Sequence, residues 1–178
     1  MVGALLVCGV CAGASPNQLD DAERREGFLL LFDGESTNGW LEITGEPFPR
    51  GSWKIEDGCL KALPNVDGIQ DIRTLRTFRA FELRLEWKIA ASGNSGIKYL
   101  VHKFDRWDSK TGKGYHARAR GLEYQLADND ANDDAKSKAT SRAAGLYGIF
   151  EPSGEARLRP VGEFNESRIV VKRPVFAH

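Results

Sequence analysis

The most regular stretch of the chain runs from Phe81 to Ile89. There Phe81, Leu83, Leu85, Trp87 and Ile89 alternate with Glu82, Arg84, Glu86 and Lys88. A two-residue period puts the apolar set on one face of a β-strand and the charged set on the other. Gly93-Asn94-Ser95-Gly96 breaks this pattern, and Ile97, Tyr99 and Val101 resume it on a partner strand. Leu122, Tyr124 and Leu126 alternate with Glu123 and Gln125, which predicts another strand. Trp53-Lys54-Ile55-Glu56 and Cys59-Leu60-Lys61-Ala62 flank Asp57-Gly58, a pair suited to the positive φ values of a tight hairpin. Phe28 to Phe32 is a continuous apolar run ended by Asp33-Gly34, the pattern of a strand buried on both faces. Arg168 to Val171 predicts a final strand, and the polar stretch from Asp128 to Ala143 a long loop. No helical stripe of useful length occurs. Short strands punctuated by Gly and Asp turns predict an all-β protein, a sandwich or barrel.

Composition narrows the partners. The 178 residues suit one domain, with 41% hydrophobic and 28% charged residues. Lys plus Arg and Asp plus Glu balance at 25 each. A neutral chain has no global field to gather nucleic acid or an acidic membrane, so a small or neutral ligand is expected. The first residues set localisation. Ala4 to Val10 is an apolar run too short to span a bilayer, and Ala12-Gly13-Ala14 supplies the small residues of a cleavage site. Residues 1–14 are therefore expected to be an export signal, 15–26 a linker or frayed helix, and 27–178 the domain. The exported protein would work in the periplasm or outside the cell. Only Cys59 would remain after cleavage, as a small buried residue without a disulfide partner.

Several blocks in order resemble the 3-keto-disaccharide hydrolase family. They are Phe32-Asp33-Gly34 leading to Gly39-Trp40, Trp53 to Gly58, Phe81 to Trp87, Asn94 to Tyr99, Glu123 to Asp128, and Gly162-Glu163-Phe164-Asn165 before Arg168-Ile169-Val170. Each is weak alone, but six in order are specific. The resemblance implies a concanavalin-like or jelly-roll sandwich of two antiparallel sheets, one of them concave. It also implies cleavage of glycosides already oxidised to a ketone at carbon 3. Family members continue beyond the Arg-Ile-Val strand, so the C-terminal strands are expected to be missing from this chain.

A carbon-3 ketone acidifies the hydrogen on carbon 2, and the glycosidic oxygen lies β to the carbonyl. Elimination followed by addition of water then amounts to hydrolysis, a route unlike that of paired-carboxylate glycosidases. It needs a base, a group to stabilise the enolate oxygen, and a proton for the leaving group. Glu123 is the leading candidate base. Alternation alone favours a solvated outer face for it, and the resemblance supplies the case for a catalytic one. Gln125, on the same face, could bind a hydroxyl. Asp128 is a candidate second acid or metal ligand. Asp128, Asp130 and Asn132 alternate like the start of an EF-hand loop, but Asp133 and Ala139 occupy its glycine and closing-glutamate positions. No cofactor is assigned, and a looser divalent-cation site stays open. Asn94 and Lys98 share parity and could reach one ligand. Arg84 and Glu86 are candidates for the concave face, with a cross-strand ion-pair face as the alternative. Trp107 is expected in a loop, where its ring could stack on a sugar. His102 and His116 are expected on surface loops, with a proton shuttle as the alternative.

Overall fold

The computed structural model describes residues 5–8, 16–154 and 157–172. Among the described residues the fold is all-β, with antiparallel sheets, two short α-helices and one 3-10 turn. A five-stranded sheet runs in the order β3-β4-β1-β6-β9. Its strands are β1 (Leu5–Cys8), β3 (Trp53–Glu56), β4 (Cys59–Ala62), β6 (Phe81–Ile89) and β9 (Asn165–Val171). Two-stranded pairings join β2 (Trp40–Glu42) to β5 (Ile72–Thr74), and β7 (Asn94–Asp108) to β8 (Tyr115–Ala127). An isolated parallel bridge, Gln70 to Ala117, sets the stretch before β5 against the edge of β8.

The β6 strand occupies the range its alternation predicts. Leu85, Trp87 and Ile89 pack with Leu126 of β8 and Ile169 of β9, with Leu83, Tyr99 and Tyr124 alongside. This layer holds the five-stranded sheet against the β7–β8 ribbon. A polar latch runs through it: Trp87 Nε1 donates to Ser167 Oγ at 2.9 Å, and Tyr124 Oη lies 2.9 Å from the same oxygen. Satisfying the indole N–H lets the largest core side chain be buried without an orphaned donor. Truncating Trp87 to Ala would cost about 3–5 kcal/mol. The β3–β4 hairpin also forms as expected, with Asp57 and Gly58 at φ 52° and 69°. Cys59 is buried, its thiol donating to the Asp57 carbonyl oxygen at 3.4 Å.

Four expectations change. Phe28 to Phe32 forms no strand, and Leu29 is 49% exposed. No neighbouring edge pairs with this run among the described residues. It is held by single bonds instead: Trp40 Nε1 donates to Leu31 O at 2.7 Å, and Phe28 N donates to Glu23 O at 3.0 Å. The expected break at Gly93 to Gly96 is shorter, because β7 already starts at Asn94. Trp107, His102 and His116 lie on strands and not in loops, since the β7–β8 ribbon extends well past Tyr99. The Asp128 to Ala143 stretch is ordered by α2 (Asp133–Ser137) and a 3-10 turn at Ala139–Ser141.

The expected linker contains α1 (Asp21–Glu26), opened by an Asp20–Glu23 capping box and closed by Gly27 in the left-handed region. Of residues 1–14, only Leu5–Cys8 is described, and its backbone pairs with β4 on one side and β6 on the other.

Candidate functional site

Because Ile97, Tyr99, Tyr124 and Leu126 face the core, the residues between them on β7 and β8 face away from it. Lys98 and Glu123 are direct cross-strand partners in this register, as are Gly96 and Gln125. The Glu123 side chain leans over Gly96. A Cβ placed on Gly96 would lie 2.2 Å from Glu123 Oε1 and 2.5 Å from its Cγ. The missing methyl at Gly96 is thus the space in which the carboxylate sits.

The segment just before β5 frames this carboxylate. Asp71 Oδ2 accepts from Lys98 Nζ at 2.9 Å and from the Ala119 amide at 3.0 Å, while Oδ1 accepts from Arg118 Nη1 at 2.8 Å. Asp71, Lys98, Arg118 and Glu123 line one groove. The two cations are locked on Asp71, whereas the Glu123 carboxylate makes no hydrogen bond or ion pair among the described residues. Burial raises the Glu123 pKa above the usual glutamate value, with Asp71 adding to the rise and Lys98 and Arg118 opposing it. A desolvated, unbonded carboxylate beside fixed cations is arranged to accept a proton while the cations meet developing negative charge.

The other sequence-predicted residues fall in different places. Asn94 Oδ1 accepts from Gln125 Nε2 at 3.1 Å, and Gln125 is only 1% exposed. Gln125 lies under the following loop, its backbone bonded to Gly145 O and Ala144 N. The structure therefore gives this amide a supporting place beneath Glu123. Asp128 is committed to backbone: it accepts from the amides of Ser92, Asp130 and Ala131 at 2.8, 3.1 and 3.2 Å. Burial opposes its ionisation, but these three bonds together hold its pKa below the usual value. Asn132 caps α2, and among the described residues no three His, Cys, Asp or Glu groups converge as a metal site.

Arg84 and Glu86 lie on the face of β6 opposite Leu83, Leu85 and Trp87, so they are not brought to Glu123. Arg84 meets Glu82 at 2.7 Å and Glu23 at 3.5 Å, and its guanidinium stacks over Phe28. Arg168 and Arg84 together bring the Glu82 pKa down to about 2. This is the cross-strand ion-pair alternative. Burial and then the facing Glu166 push the Glu86 pKa up. Trp107 sits far along the ribbon, stacked on His116 with ring centroids 5.1 Å apart.

Asp71 and Arg118 were not among the sequence candidates. Asp71 follows Gly68-Ile69-Gln70, a stretch without alternation, and its role arises only from the non-local bridge to β8.

The architecture and site define a class: an antiparallel β-sandwich with a carboxylate and two anchored cations on one strand pair. Within that class, a family model described as the 3-keto-alpha-glucoside-1,2-lyase-like domain matches residues 27–178, and the chain belongs to that family. It is 34% identical over 163 residues to a 3-keto-disaccharide hydrolase of Bacteroides thetaiotaomicron, covering 86% of this chain and 55% of the relative. The chain thus spans about half the length of that curated relative. A crystal structure of a candidate glycosyl hydrolase from Parabacteroides distasonis aligns with a TM-score of 0.69 at 29% identity. That alignment covers 88% of this chain and 69% of the other.

Proposed function

We propose that this domain carries the base of an exported enzyme that cleaves 3-keto-glycosides by elimination and hydration. The observation that carries the reading is the desolvated Glu123 carboxylate, free of hydrogen bonds among the described residues, opposite Lys98. Glu123 removes the proton from carbon 2, and the electron pair forms an enolate with the carbon-3 oxygen. Lys98 and Arg118, held by Asp71, offer N–H groups to that oxygen. The ketone re-forms as the carbon 1–carbon 2 double bond appears and the carbon 1–oxygen bond breaks. The departing oxygen takes a proton, returned by Glu123. Water then adds across the double bond, hydroxyl to carbon 1 and hydrogen to carbon 2, giving net hydrolysis. Asp128 serves this scheme as a turn anchor at the end of β8 rather than as a second acid.

Family membership and the name of the Bacteroides relative support the substrate class. Export is supported by the apolar run Ala4 to Val10 and the small residues after it, and cleavage there would take the Leu5–Cys8 strand out from between β4 and β6. The test is leaving-group release from a chromogenic 3-keto-glucoside, with the unoxidised glucoside as control. Release from the keto substrate alone is expected. No release from a cooperatively melting sample refutes the reading. A second reading, a glycan-binding module without turnover, is favoured by one observation, the exposed Trp107 ring stacked on a half-buried His116. Saturable glycan binding without product would select it.

A further inference from the structure

The far half of the β7–β8 ribbon presents one polar and aromatic face. Cross-strand register pairs Trp107 with His116, Asp105 with Arg118 and Lys103 with Arg120. Side-chain contacts confirm that these residues share a side. Trp107 stacks on His116 at an interplanar angle of 15°, and Asp105 meets both Arg120 and Lys103. The face joins the candidate site through Arg118, whose guanidinium reaches the same Asp71 that holds Lys98.

Trp107 is 46% exposed although it sits on a strand. Its indole is held flat by His116, which in turn lies 3.5 Å from Asp67. A flat, fixed, exposed ring beside charged hydrogen-bonding groups fits the apolar C–H face of a pyranose with its hydroxyls pointing outward. The ring also carries little rotamer entropy to lose on binding. His116 is seven residues from Glu123 along β8, roughly 23 Å at about 3.3 Å per residue. Trp107 and Glu123 therefore cannot touch the same sugar ring.

We propose that Trp107, backed by His116, is a distal sugar-binding subsite, and that the chain takes glycans longer than a disaccharide. The inference rests on the proposed sugar-cleaving site only for its direction: the unit whose carbon 1–oxygen bond breaks sits at Glu123, and a remote unit of the same chain at Trp107. It deepens that reading by naming an oligosaccharide as the substrate class.

The test is calorimetric binding of unoxidised cellohexaose, maltohexaose and laminarihexaose, each against its disaccharide, to the wild-type chain, Trp107→Ala and Trp107→Phe. At least one hexasaccharide is expected to bind tenfold or more tighter than its disaccharide. Trp107→Ala should remove that chain-length dependence, and Trp107→Phe should keep part of it. Melting curves show whether each variant is folded, and Trp107→Phe carries the test if Trp107→Ala does not fold. No hexasaccharide binding, equal affinity for long and short chains, or wild-type affinity in the folded Trp107→Ala variant overturns the proposal. Binding to unoxidised sugars is independent of keto-glycoside cleavage, so failure here and failure of the elimination reaction are separately visible.

Discussion

Gly96→Ala isolates the claim that the Glu123 carboxylate owes its position to an absent side chain. Gly96 lies in a strand and is not among the residues with positive φ, so alanine is compatible with the backbone there. Its Cβ would meet Glu123 Oε1 at 2.2 Å, and ordinary contact begins at 3.4 Å, so the carboxylate must retreat by about 1.2 Å. The atoms in the way belong to a flexible side chain, so the fold can yield by letting Glu123 swing aside. Stability should change little, within the ~1–3 kcal/mol of ordinary overpacking. Catalysis has no such freedom. A displacement near 1 Å can cost on the order of 100-fold in rate, equivalent to about 2.7 kcal/mol of barrier. The assay is kcat and KM on the chromogenic 3-keto-glucoside, with a thermal melt of each variant. Pairing Gly96→Ala with Glu123→Asp removes one methylene from the acid and should relieve the clash. The double variant is then expected to do better than the two single losses multiplied together. Full kcat in Gly96→Ala, or strictly multiplicative losses in the double variant, would refute the spatial argument.

Glu123→Gln should lower kcat by about 100- to 10,000-fold, the range for losing a general base, without lowering the melting temperature. Its raised folded pKa sets the sign of the pH effects. Rate should climb with pH through a value above the usual glutamate range. The stability contribution of a neutral Glu123 is present below its unfolded pKa and lost as pH rises through the folded one. Glu123→Gln should therefore gain relative stability at neutral pH, and a melt-versus-pH series comparing the two chains checks it. Asp71→Asn should release Lys98 and Arg118 and remove a charge that raises the Glu123 pKa. The rising limb of the rate profile should move to lower pH with a drop in kcat larger than the change in KM, and an unmoved limb would show a merely structural role. Asp128→Ala leaves three backbone amides short of their acceptor and should cost about 1–3 kcal/mol in a denaturant titration. The stabilisation from Asp128 is present above its unfolded pKa and should fade as pH falls through the lowered folded value. Comparing chains that start at Met1 and at Ser15 tests the pairing of Leu5–Cys8. The shorter chain should melt lower, because β4 and β6 lose a shared neighbour.

How far the sequence discloses this arrangement depends on whether the signal is local. The β6 alternation survives because each of its faces meets a single environment, core on one side and ion pairs on the other. The Asp57-Gly58 hairpin survives because its turn geometry is fixed by two residues. Glu123 and Lys98 were both readable as outward-facing residues of neighbouring strands. Their frame was not. Asp71 reaches β8 through one isolated bridge, and the register of β7 against β8 shifts between Tyr99 and Lys103, with Leu100 at φ 51°. Alternation counted from Glu123 therefore cannot be carried through that irregularity to Arg118. Phe28 to Phe32 misled for a different reason: an apolar run reports the tendency to be buried, and only an available strand edge turns that tendency into a strand.

The pairing of β6 with β9 joins Phe81 to Val171 across about half of the chain. At synthesis rates of roughly 5–20 residues per second, β9 leaves the ribosome some 5–20 s after β6. Over that interval Leu83, Leu85 and Trp87 have no β9 to complete their layer, and one edge of β6 stays open to other chains. Non-local pairings of this kind also slow the folding search once the chain is complete. The same strand that supplies the native core thus makes yield during overproduction sensitive to temperature and to holdase chaperones, independently of how stable the finished fold is.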